Sequence, residues 1–200
     1  MNRLIAALAL SLGYVAVLLS IYYVHARYFP VDVVFYSAIL DAVIAAGIVG
    51  LGLFLAPSRW GLDWFSKVLL VLIWLMGGYA FAISVPTVID RSLSMYILEK
   101  LDQRGGGIEL DQFDRVFSDE YMGEYRLVDV RLTEQVQSGT IVIEDGCVKL
   151  TDWGRRVAAW TRFLRANFLA KKRLLDGEYT DALTDPLAGG NAEPMGYECN

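Results

Sequence analysis

Three long apolar segments constrain the fold of this chain more than any other feature of its sequence. They run from Leu4 to Val24, from Val33 to Leu55 and from Val68 to Val85. A helix rises about 1.5 Å per residue, so each segment is long enough to cross a hydrocarbon layer roughly 30 Å thick. The sequence therefore predicts three transmembrane helices in the N-terminal part of the chain.

Charged side chains are distributed very unevenly along the sequence. Residues 1–89 contain few of them, and nearly all the others follow from Asp90 onward, although charged residues make up 20% of the whole chain. This asymmetry indicates one region that lies in lipid and a second region that lies in water. We predict a membrane α-helical domain at 1–89 and a small soluble α+β domain at 90–175. The remaining residues, 176–200, are rich in Gly, Pro, Asp and Thr and are predicted to be disordered.

The segments that connect the apolar runs contain aromatic and basic residues, which is typical of the headgroup region. The connectors are His25–Pro30 and Pro57–Trp64. The apolar runs have two alternatives to transmembrane helices. All three could be buried helices of a soluble protein, or the first run alone could be a cleaved signal peptide with Arg3 as its positively charged start. The first run has about 20 apolar residues, longer than the 7–15 usual in signal peptides, and this length favours an uncleaved helix.

Small residues recur at spacings of three and four in all three apolar segments. Such spacing lets helices approach closely in lipid. It can pack the three helices against one another, or it can form a homodimer interface.

The soluble region has alternating helix and strand signals. The predicted helices are Arg91–Gln103 with Asp90 as its N-cap, Asp111–Met122, Tyr125–Gln137, and a long helix capped by Thr151 that runs to about Leu175. The predicted strands are Ile108–Leu110, Thr140–Ile143 and Cys147–Leu150. The dipeptide Asp145-Gly146 predicts a hairpin turn, because this pair tolerates the positive φ angles of a tight turn.

The segment Val148–Arg155 resembles the strand-to-helix junction Leu-Thr-x-x-Gly-Arg of MarR- and PadR-type regulators. The order of elements over residues 90–175 is also similar to that of their winged helix-turn-helix. The resemblance implies a winged-helix-like domain. Since fold does not determine function, DNA binding has to be argued separately.

The surfaces that bind DNA in a winged helix, the third helix and the wing, have no excess of positive charge in this chain. The third-helix region has Arg126 and Arg131 against Glu124, Asp129 and Glu134. The wing has two acids and one cation, Glu144, Asp145 and Lys149. Phosphate contacts supply most of the affinity for DNA, so we expect the module to dock a protein instead.

Basic residues concentrate in the last predicted helix. Five of them share one arc of about 100° when residues are placed at 100° intervals: Arg155, Arg162, Arg165, Lys172 and Arg173. Apolar side chains lie mostly opposite. This basic amphipathic helix can lie on an anionic membrane surface, or its apolar face can pack on its own domain or on a second copy.

Asp41 is an ionisable residue inside the second apolar segment. A carboxylate at that depth costs roughly 2.5–3.5 kcal/mol on insertion scales, so it needs a partner. Antiparallel neighbours place Tyr79, Tyr14 or Ser20 near its depth. Asp41 either holds helices together by a hydrogen bond or acts as a functional carboxylate.

Three membrane crossings put the first connector and the soluble domain on the same side of the bilayer. The polar residues that meet there, with Asp41 slightly deeper, are His25, Arg27, Asp32, Asp90, Arg91 and Ser92. Such a set can hold a phosphate headgroup or perform acid–base chemistry, or it can simply anchor and cap helices. The candidate catalytic residues are His25, Asp41, Asp90 and Arg91.

Several function classes find no support in the sequence. One histidine and two cysteines, without metal-ligand spacing, predict neither a metal site nor a cofactor. The net charge of −5 argues against general affinity for nucleic acids. No nucleophile elbow, phosphate loop or similar catalytic motif occurs.

These observations lead to three hypotheses about function. The first is a non-catalytic adaptor in the cell inner (plasma) membrane, with its C-terminal domain in the cytoplasm and bound to a protein partner. The second is a small subunit of a lipid-linked glycan or lipid-modifying enzyme. The third is a membrane-bound transcription regulator.

Overall fold

Three long helices form the N-terminal part of the chain in the computed structural model, which describes residues 3–55 and 61–183. They are α1 (Arg3–Tyr28), α2 (Val34–Leu55) and α3 (Trp64–Ser84). All three are long and apolar enough to span a membrane, which confirms the three apolar helices predicted from the sequence. Residues 57–60 of the second connector lie outside the described residues.

The first helix continues one turn further than predicted. His25 and Arg27 lie in the last turn of α1, whereas the sequence placed them in a connector. The true connector to α2 is only the short stretch of residues 29–33. Because the connector is short, α1 and α2 form an antiparallel helical hairpin.

Small side chains form the contact between the membrane helices. The buried small residues of α2 are Ala38, Ala42, Ala45, Ala46 and Gly50. On α3, Gly78 is so close to α2 that a Cβ atom added to it would lie 2.5 Å from the Cβ of Ala42. The small residues therefore pack the three helices against one another, while the homodimer stays a prediction.

An aromatic pair fills the centre of the bundle. The Tyr14 and Trp74 rings stack with centroids 5.4 Å apart, and Trp74 Nε1 donates a hydrogen bond of 2.9 Å to Ser11 Oγ. Outward-facing side chains of the bundle are apolar and exposed, including Leu12, Leu51 and Met76. Such an outer surface suits lipid rather than water.

The third helix ends before Pro86, as predicted, because proline cannot continue the backbone hydrogen-bond ladder. The chain then forms a short helix, α4 (Pro86–Arg91), and a longer one, α5 (Leu93–Gln103). The predicted cap of α5 was wrong: Asp90 lies within α4. The cap is Ser92, whose Oγ accepts a hydrogen bond from the backbone N–H of Met95.

A mixed helical segment follows α5. It consists of a 3-10 turn at Leu110–Gln112, the single turn α6 (Phe113–Arg115), a π-helical stretch at Val116–Tyr121 and the single turn α7 (Met122–Glu124). No strand forms at Ile108–Leu110, contrary to the prediction. Ile108 instead packs against a small core made by Tyr96, Val116 and Tyr121, so it gains burial without a strand partner.

The predicted third helix and hairpin are both present. The helix, α8 (Leu127–Gln137), begins two residues later than expected, after Arg126 with a positive φ of 44°. Strands β1 (Ile141–Glu144) and β2 (Cys147–Leu150) pair in antiparallel register. Asp145 and Gly146 form the turn with φ angles of 54° and 75°, as the Asp-Gly pair predicted.

The last long helix begins as predicted but ends earlier. Thr151 caps α9 (Asp152–Phe168) by accepting a hydrogen bond from the backbone N–H of Gly154. After α9, strands β3 (Arg173–Leu175) and β4 (Glu178–Thr180) form a second hairpin. Its turn is Asp176-Gly177, again with positive φ angles. This hairpin includes the first residues of the segment predicted to be disordered, and residues 184–200 lie outside the described residues.

The described chain divides into two compact units, with the boundary between Leu127 and Val128. The first contains the three membrane helices, α4, α5 and the mixed helical segment. The second contains α8, the two hairpins and α9. Each unit is considered below by itself.

Candidate functional site

A histidine and an aspartate form the most unusual polar contact in the membrane helices. His25 Nδ1 on α1 and Asp41 Oδ1 on α2 are 2.6 Å apart. The Asp41 side chain is 2% exposed and the His25 side chain 21% exposed. Charged or polar groups in apolar surroundings require such partners, and this contact supplies one for each residue.

The helical hairpin explains why these two residues meet. His25 lies about one turn before the end of α1, and Asp41 lies about two turns after the start of α2. Because the two helices are antiparallel and joined by a short connector, both residues lie at a similar depth. The contact therefore ties α1 to α2, which is the helix-binding role the sequence allowed for Asp41.

The partners proposed for Asp41 from the sequence, Tyr79, Tyr14 or Ser20, were wrong, because its partner is His25. Ser20 Oγ donates to the backbone carbonyl of Ala16, and the Tyr79 ring packs edge-to-face with Phe35. The buried Tyr14 hydroxyl has no hydrogen-bond partner among the described residues, and the same is true of Asp41 Oδ2. Leaving a buried polar atom unsatisfied costs about 1–3 kcal/mol, so each of these two atoms lowers the stability of the bundle by an amount of this order.

A groove of about 440 Å³ opens between α1 and α2 beside this pair. Its apolar wall is formed by Ile21, Val24, Phe29 and Ile44. Its polar lining is formed by Ser20, His25 and Asp41. Asp41 holds the imidazole by Nδ1, which leaves Nε2 as the ring atom that can donate or accept a proton.

The other candidate catalytic residues, Asp90 and Arg91, lie on α4, where Arg91 Nε is 3.8 Å from Asp90 Oδ2. Helix α4 contacts α2, the helix that carries Asp41. Asp32 is exposed in the connector between α1 and α2.

Neither a metal centre nor a family relationship indicates a function for this chain. Among the described residues, no group of three or more His, Cys, Asp or Glu side chains is placed to hold a metal ion. Comparisons with protein-family models, with curated proteins and with solved structures find no match. The function has to be argued from the residues themselves.

A second polar cluster, which the sequence analysis missed, surrounds Lys100 on α5. Lys100 is 4% exposed. Its Nζ lies 2.8 Å from Glu120 Oε2 and 2.7 Å from Glu124 Oε1. The Tyr96 hydroxyl donates to Glu124 Oε2 at 2.9 Å. Lys100 follows Tyr96 by four residues, so it lies on the same helical face as that core residue, and this spacing was the signal that could have identified it.

The cluster changes the pKa values of its members in opposite directions. Hydrogen bonds to Glu120 and Glu124 raise the pKa of Lys100 above its ordinary value. The hydrogen bond from Lys100 lowers the pKa of Glu120 and of Glu124. All three groups are therefore charged at neutral pH, and the cluster joins α5 to the mixed helical segment.

We expect the stabilisation from this cluster to be constant from about pH 6 to 9 and to be lost in acid. The lowered glutamate pKa values contribute stability above about pH 4.5, their unfolded value, and that contribution disappears as the pH falls through the folded values. The raised Lys100 pKa contributes below about pH 10.5 and is lost only as the pH rises further. Lys100→Met should lower the melting temperature of the detergent-solubilised protein by several degrees at pH 7, and the difference from the wild type should shrink as the pH falls below about 4.5.

The control for this prediction is Lys149→Met. Lys149 forms an exposed pair of 3.4 Å with Glu144, and exposed pairs contribute little to stability. Equal melting temperatures for Lys100→Met and the wild type at pH 7 would contradict the assigned role of the cluster.

In the second unit, helix α9 presents an aromatic strip to solvent, defined as Trp153, Trp160, Phe163 and Phe168. All four side chains are exposed, and Trp160 is 60% exposed. Trp160 stacks on Phe163 with centroids 5.4 Å apart, and the guanidinium of Arg156 lies 5.5 Å from the Trp153 ring. Gly154, near the start of α9, packs on the first hairpin.

The five basic residues predicted to share one helical face do not all lie on one helix. Arg155, Arg162 and Arg165 belong to α9, but Lys172 and Arg173 follow its end. Arg155 is also engaged with Asp152 and with the carbonyl of Leu150. The helix ends early because the second hairpin takes up the following residues. A membrane-surface role for these five residues stays a prediction.

Proposed function

We propose that this chain is a non-catalytic, membrane-anchored adaptor. Its apolar helices hold it in the bilayer, and its winged-helix-like C-terminal region docks a protein partner at the membrane surface. The aromatic strip of α9 is the single observation that carries this proposal.

The composition of the strip supports a protein partner. Tryptophan and arginine dominate the binding energy of protein–protein interfaces, where they fill pockets on the partner. Exposed apolar patches on soluble regions typically mark interaction sites. The strip combines two exposed tryptophans with Arg156 and two phenylalanines, whereas most cations of α9 lie on other faces of the helix.

Site-specific photo-crosslinking tests the adaptor proposal. A photoreactive amino acid in place of Trp160 in the full-length membrane protein should give one discrete adduct with another protein. The same amino acid at Arg162, about 160° away around α9, should give none. Phe163→Ala should reduce the adduct on the order of tenfold. Adducts with lipid alone, or equal adducts at both positions, would contradict the proposal.

A membrane-bound transcription regulator is a weaker candidate. On α8, Arg131 pairs with Glu134 at 2.7 Å, and in the first hairpin Lys149 pairs with Glu144 at 3.4 Å. Both cations are thus partly neutralised by acids of the same surface, which weakens binding to phosphates. Sequence-dependent nanomolar binding to duplex DNA at physiological salt would replace the adaptor with this alternative.

A small subunit of a lipid-linked glycan or lipid-modifying enzyme is the other candidate. The contact between His25 and Asp41 beside a groove favours it, because a carboxylate that orients a histidine is a common arrangement for proton transfer. Asp90 and Arg91 on α4 complete the set of candidate residues for such a role.

We also propose that the protein lies in the cell inner (plasma) membrane with its C-terminal region in the cytoplasm. Positive residues favour the cytoplasmic side. By this rule Arg27, Arg91, Lys100 and Arg104 favour the proposed orientation, whereas Arg3, Arg59 and Lys67 favour the opposite one. Two features decide for the proposed orientation: winged helices usually lie in the cytoplasm, and a basic amphipathic helix suits the anionic inner leaflet. A reporter that is active only in the periplasm should be silent when fused after residue 200. A strongly active reporter at this position would contradict the proposed orientation and support the opposite one.

A further inference from the structure

The groove between α1 and α2 has the lining expected for an amphiphile, a molecule with an apolar part and a polar part. It is lined by aliphatic side chains of both helices, Ile21 and Val24 on α1 and Ile44 on α2, and its polar residues are His25, Asp41 and Ser20. A purely structural hydrogen bond between two helices does not require an open groove beside it. The combination of apolar wall and polar pair matches a molecule with both characters.

The contact with Asp41 determines which ring atom of His25 is left for a ligand. Asp41 Oδ1 engages Nδ1, so Nε2 is the ring nitrogen that remains. The accessible group is the ring, because His25 is 21% exposed and Asp41 only 2%. An Nε2–H group can donate a hydrogen bond, so an acceptor oxygen is a suitable ligand group.

The position of His25 and Asp41 near the membrane surface favours a phosphate as the group that accepts this hydrogen bond. His25 lies in the last turn of α1, close to the membrane face to which α1 and α3 both point. The exposed Arg27 lies at the same end of α1. Arg91 ends α4, directly after α3, and pairs with Asp90, while Asp32 is exposed in the connector. A cation such as Arg27 attracts the anionic phosphates of lipid headgroups.

We propose that the groove binds a phosphate-bearing membrane lipid. One acyl chain lies along Ile21, Val24 and Ile44, and a phosphate oxygen accepts a hydrogen bond from His25 Nε2. Asp41 holds the ring by Nδ1, which leaves Nε2 for the phosphate. This site belongs to the membrane helices and does not depend on the adaptor proposal, which rests on α9.

Native mass spectrometry of the full-length protein in non-ionic detergent tests the site with three probes. Phosphatidylglycerol carries the phosphate, diacylglycerol has the same chains without it, and inorganic phosphate has no chains. We expect phosphatidylglycerol to bind at least about tenfold more tightly than diacylglycerol, since hydrogen bonds to charged groups are the strong ones. We expect inorganic phosphate not to compete at equal concentration. Equal affinities for the two lipids would overturn phosphate recognition, and effective competition by inorganic phosphate would overturn a lipid as the ligand.

Two substitutions locate the binding within the groove. Ile21→Trp fills the groove and should weaken phosphatidylglycerol binding at least about tenfold. Leu19→Trp places the same side chain on an exposed part of α1 outside the groove and should have no effect. His25→Phe keeps the ring but removes the donor, so it should lower the affinity for phosphatidylglycerol to that for diacylglycerol. Loss of binding in Leu19→Trp equal to that in Ile21→Trp, or an unchanged lipid preference in His25→Phe, would overturn the proposal.

Discussion

Gly78→Ala is expected to lower the melting temperature of the detergent-solubilised protein by about 2–12 °C, which corresponds to about 1–3 kcal/mol of overpacking. A Cβ atom at this position would lie 2.5 Å from Ala42 Cβ and 2.5 Å from the Tyr14 hydroxyl oxygen. The contact with Ala42 cannot be relieved without moving α2, whereas the contact with Tyr14 can be relieved by a shift of its side chain. The added methyl group therefore separates helices that now touch.

The neighbouring glycine provides a matched control. A Cβ atom on Gly77 would meet no atom within 4 Å, although both glycines lie in the same turn of α3. Gly77→Ala should leave the melting temperature unchanged or raise it slightly, because alanine favours helix more than glycine by about 1 kcal/mol. If Gly78→Ala and Gly77→Ala both have the melting temperature of the wild type, α3 does not pack closely on α2 and α1.

The Tyr14 side chain explains why Gly78→Ala should affect more than one helix pair. Tyr14 stacks on Trp74 in nearly parallel planes, and Trp74 is tied to Ser11 through its indole nitrogen. A methyl group on Gly78 pushes the tyrosine hydroxyl and thereby disturbs the aromatic pair in the centre of the bundle. The expected loss therefore includes contacts of α1 with α3 as well as those of α2.

The membrane helices could be predicted from the sequence because the solvent imposes their pattern. A segment that crosses lipid must satisfy its backbone internally and present apolar side chains outward, and both requirements appear directly as long apolar runs. Helix ends carry a much weaker signal. His25 and Arg27 look like connector residues, yet α1 continues through them, and for this reason the contact between His25 and Asp41 could not be derived.

Both hairpins turn at an Asp-Gly pair, although the sequence prediction included only the first of them. Asp145-Gly146 predicted the turn between β1 and β2, and Asp176-Gly177 has equally positive φ angles between β3 and β4. The second pair follows a basic segment whose helical spacing continued past Phe168, and this spacing favoured a longer helix. Turn chemistry prevailed over helical periodicity there, since a tight Asp-Gly turn stabilises its own short strands.

The Lys100 cluster illustrates a limit set by distance along the chain. Its partners Glu120 and Glu124 lie one turn apart in a segment of mixed helical geometry. The π-helical stretch at Val116–Tyr121 shifts the face on which these side chains lie relative to an ordinary helix. Regular helical spacing cannot predict such a shift, so the pairing of Lys100 with both glutamates becomes apparent only when α5 and this segment are seen together.

The motif that resembles MarR- and PadR-type regulators has a local structural explanation in this chain. Thr151 Oγ1 accepts a hydrogen bond of 2.9 Å from the backbone N–H of Gly154 and donates one of 2.7 Å to the carbonyl of Gly139. Arg155 donates to the carbonyl of Leu150 at 3.1 Å. Thr151, Gly154 and Arg155 thus join the end of the first hairpin to the start of α9.

Gly154→Ala is expected to destabilise this junction by about 2–3 kcal/mol, near the upper end for an added methyl group, because the obstacle is backbone. A Cβ atom on Gly154 would overlap the carbonyl oxygen of Thr140 and lie 3.1 Å from Leu150 Cδ2. The carbonyl of Thr140 cannot move away easily, since it accepts a hydrogen bond of 3.1 Å from the backbone N–H of Thr151. Hydrogen exchange measured by mass spectrometry should become on the order of thirty- to hundredfold faster in β1, β2 and the first turns of α9. Gly123→Ala is the control, since a Cβ atom there meets nothing within 4 Å and should not accelerate exchange. Unchanged exchange in Gly154→Ala would show that the close approach of α9 to Thr140 does not hold the hairpin, and that the glycine of the motif has no packing role.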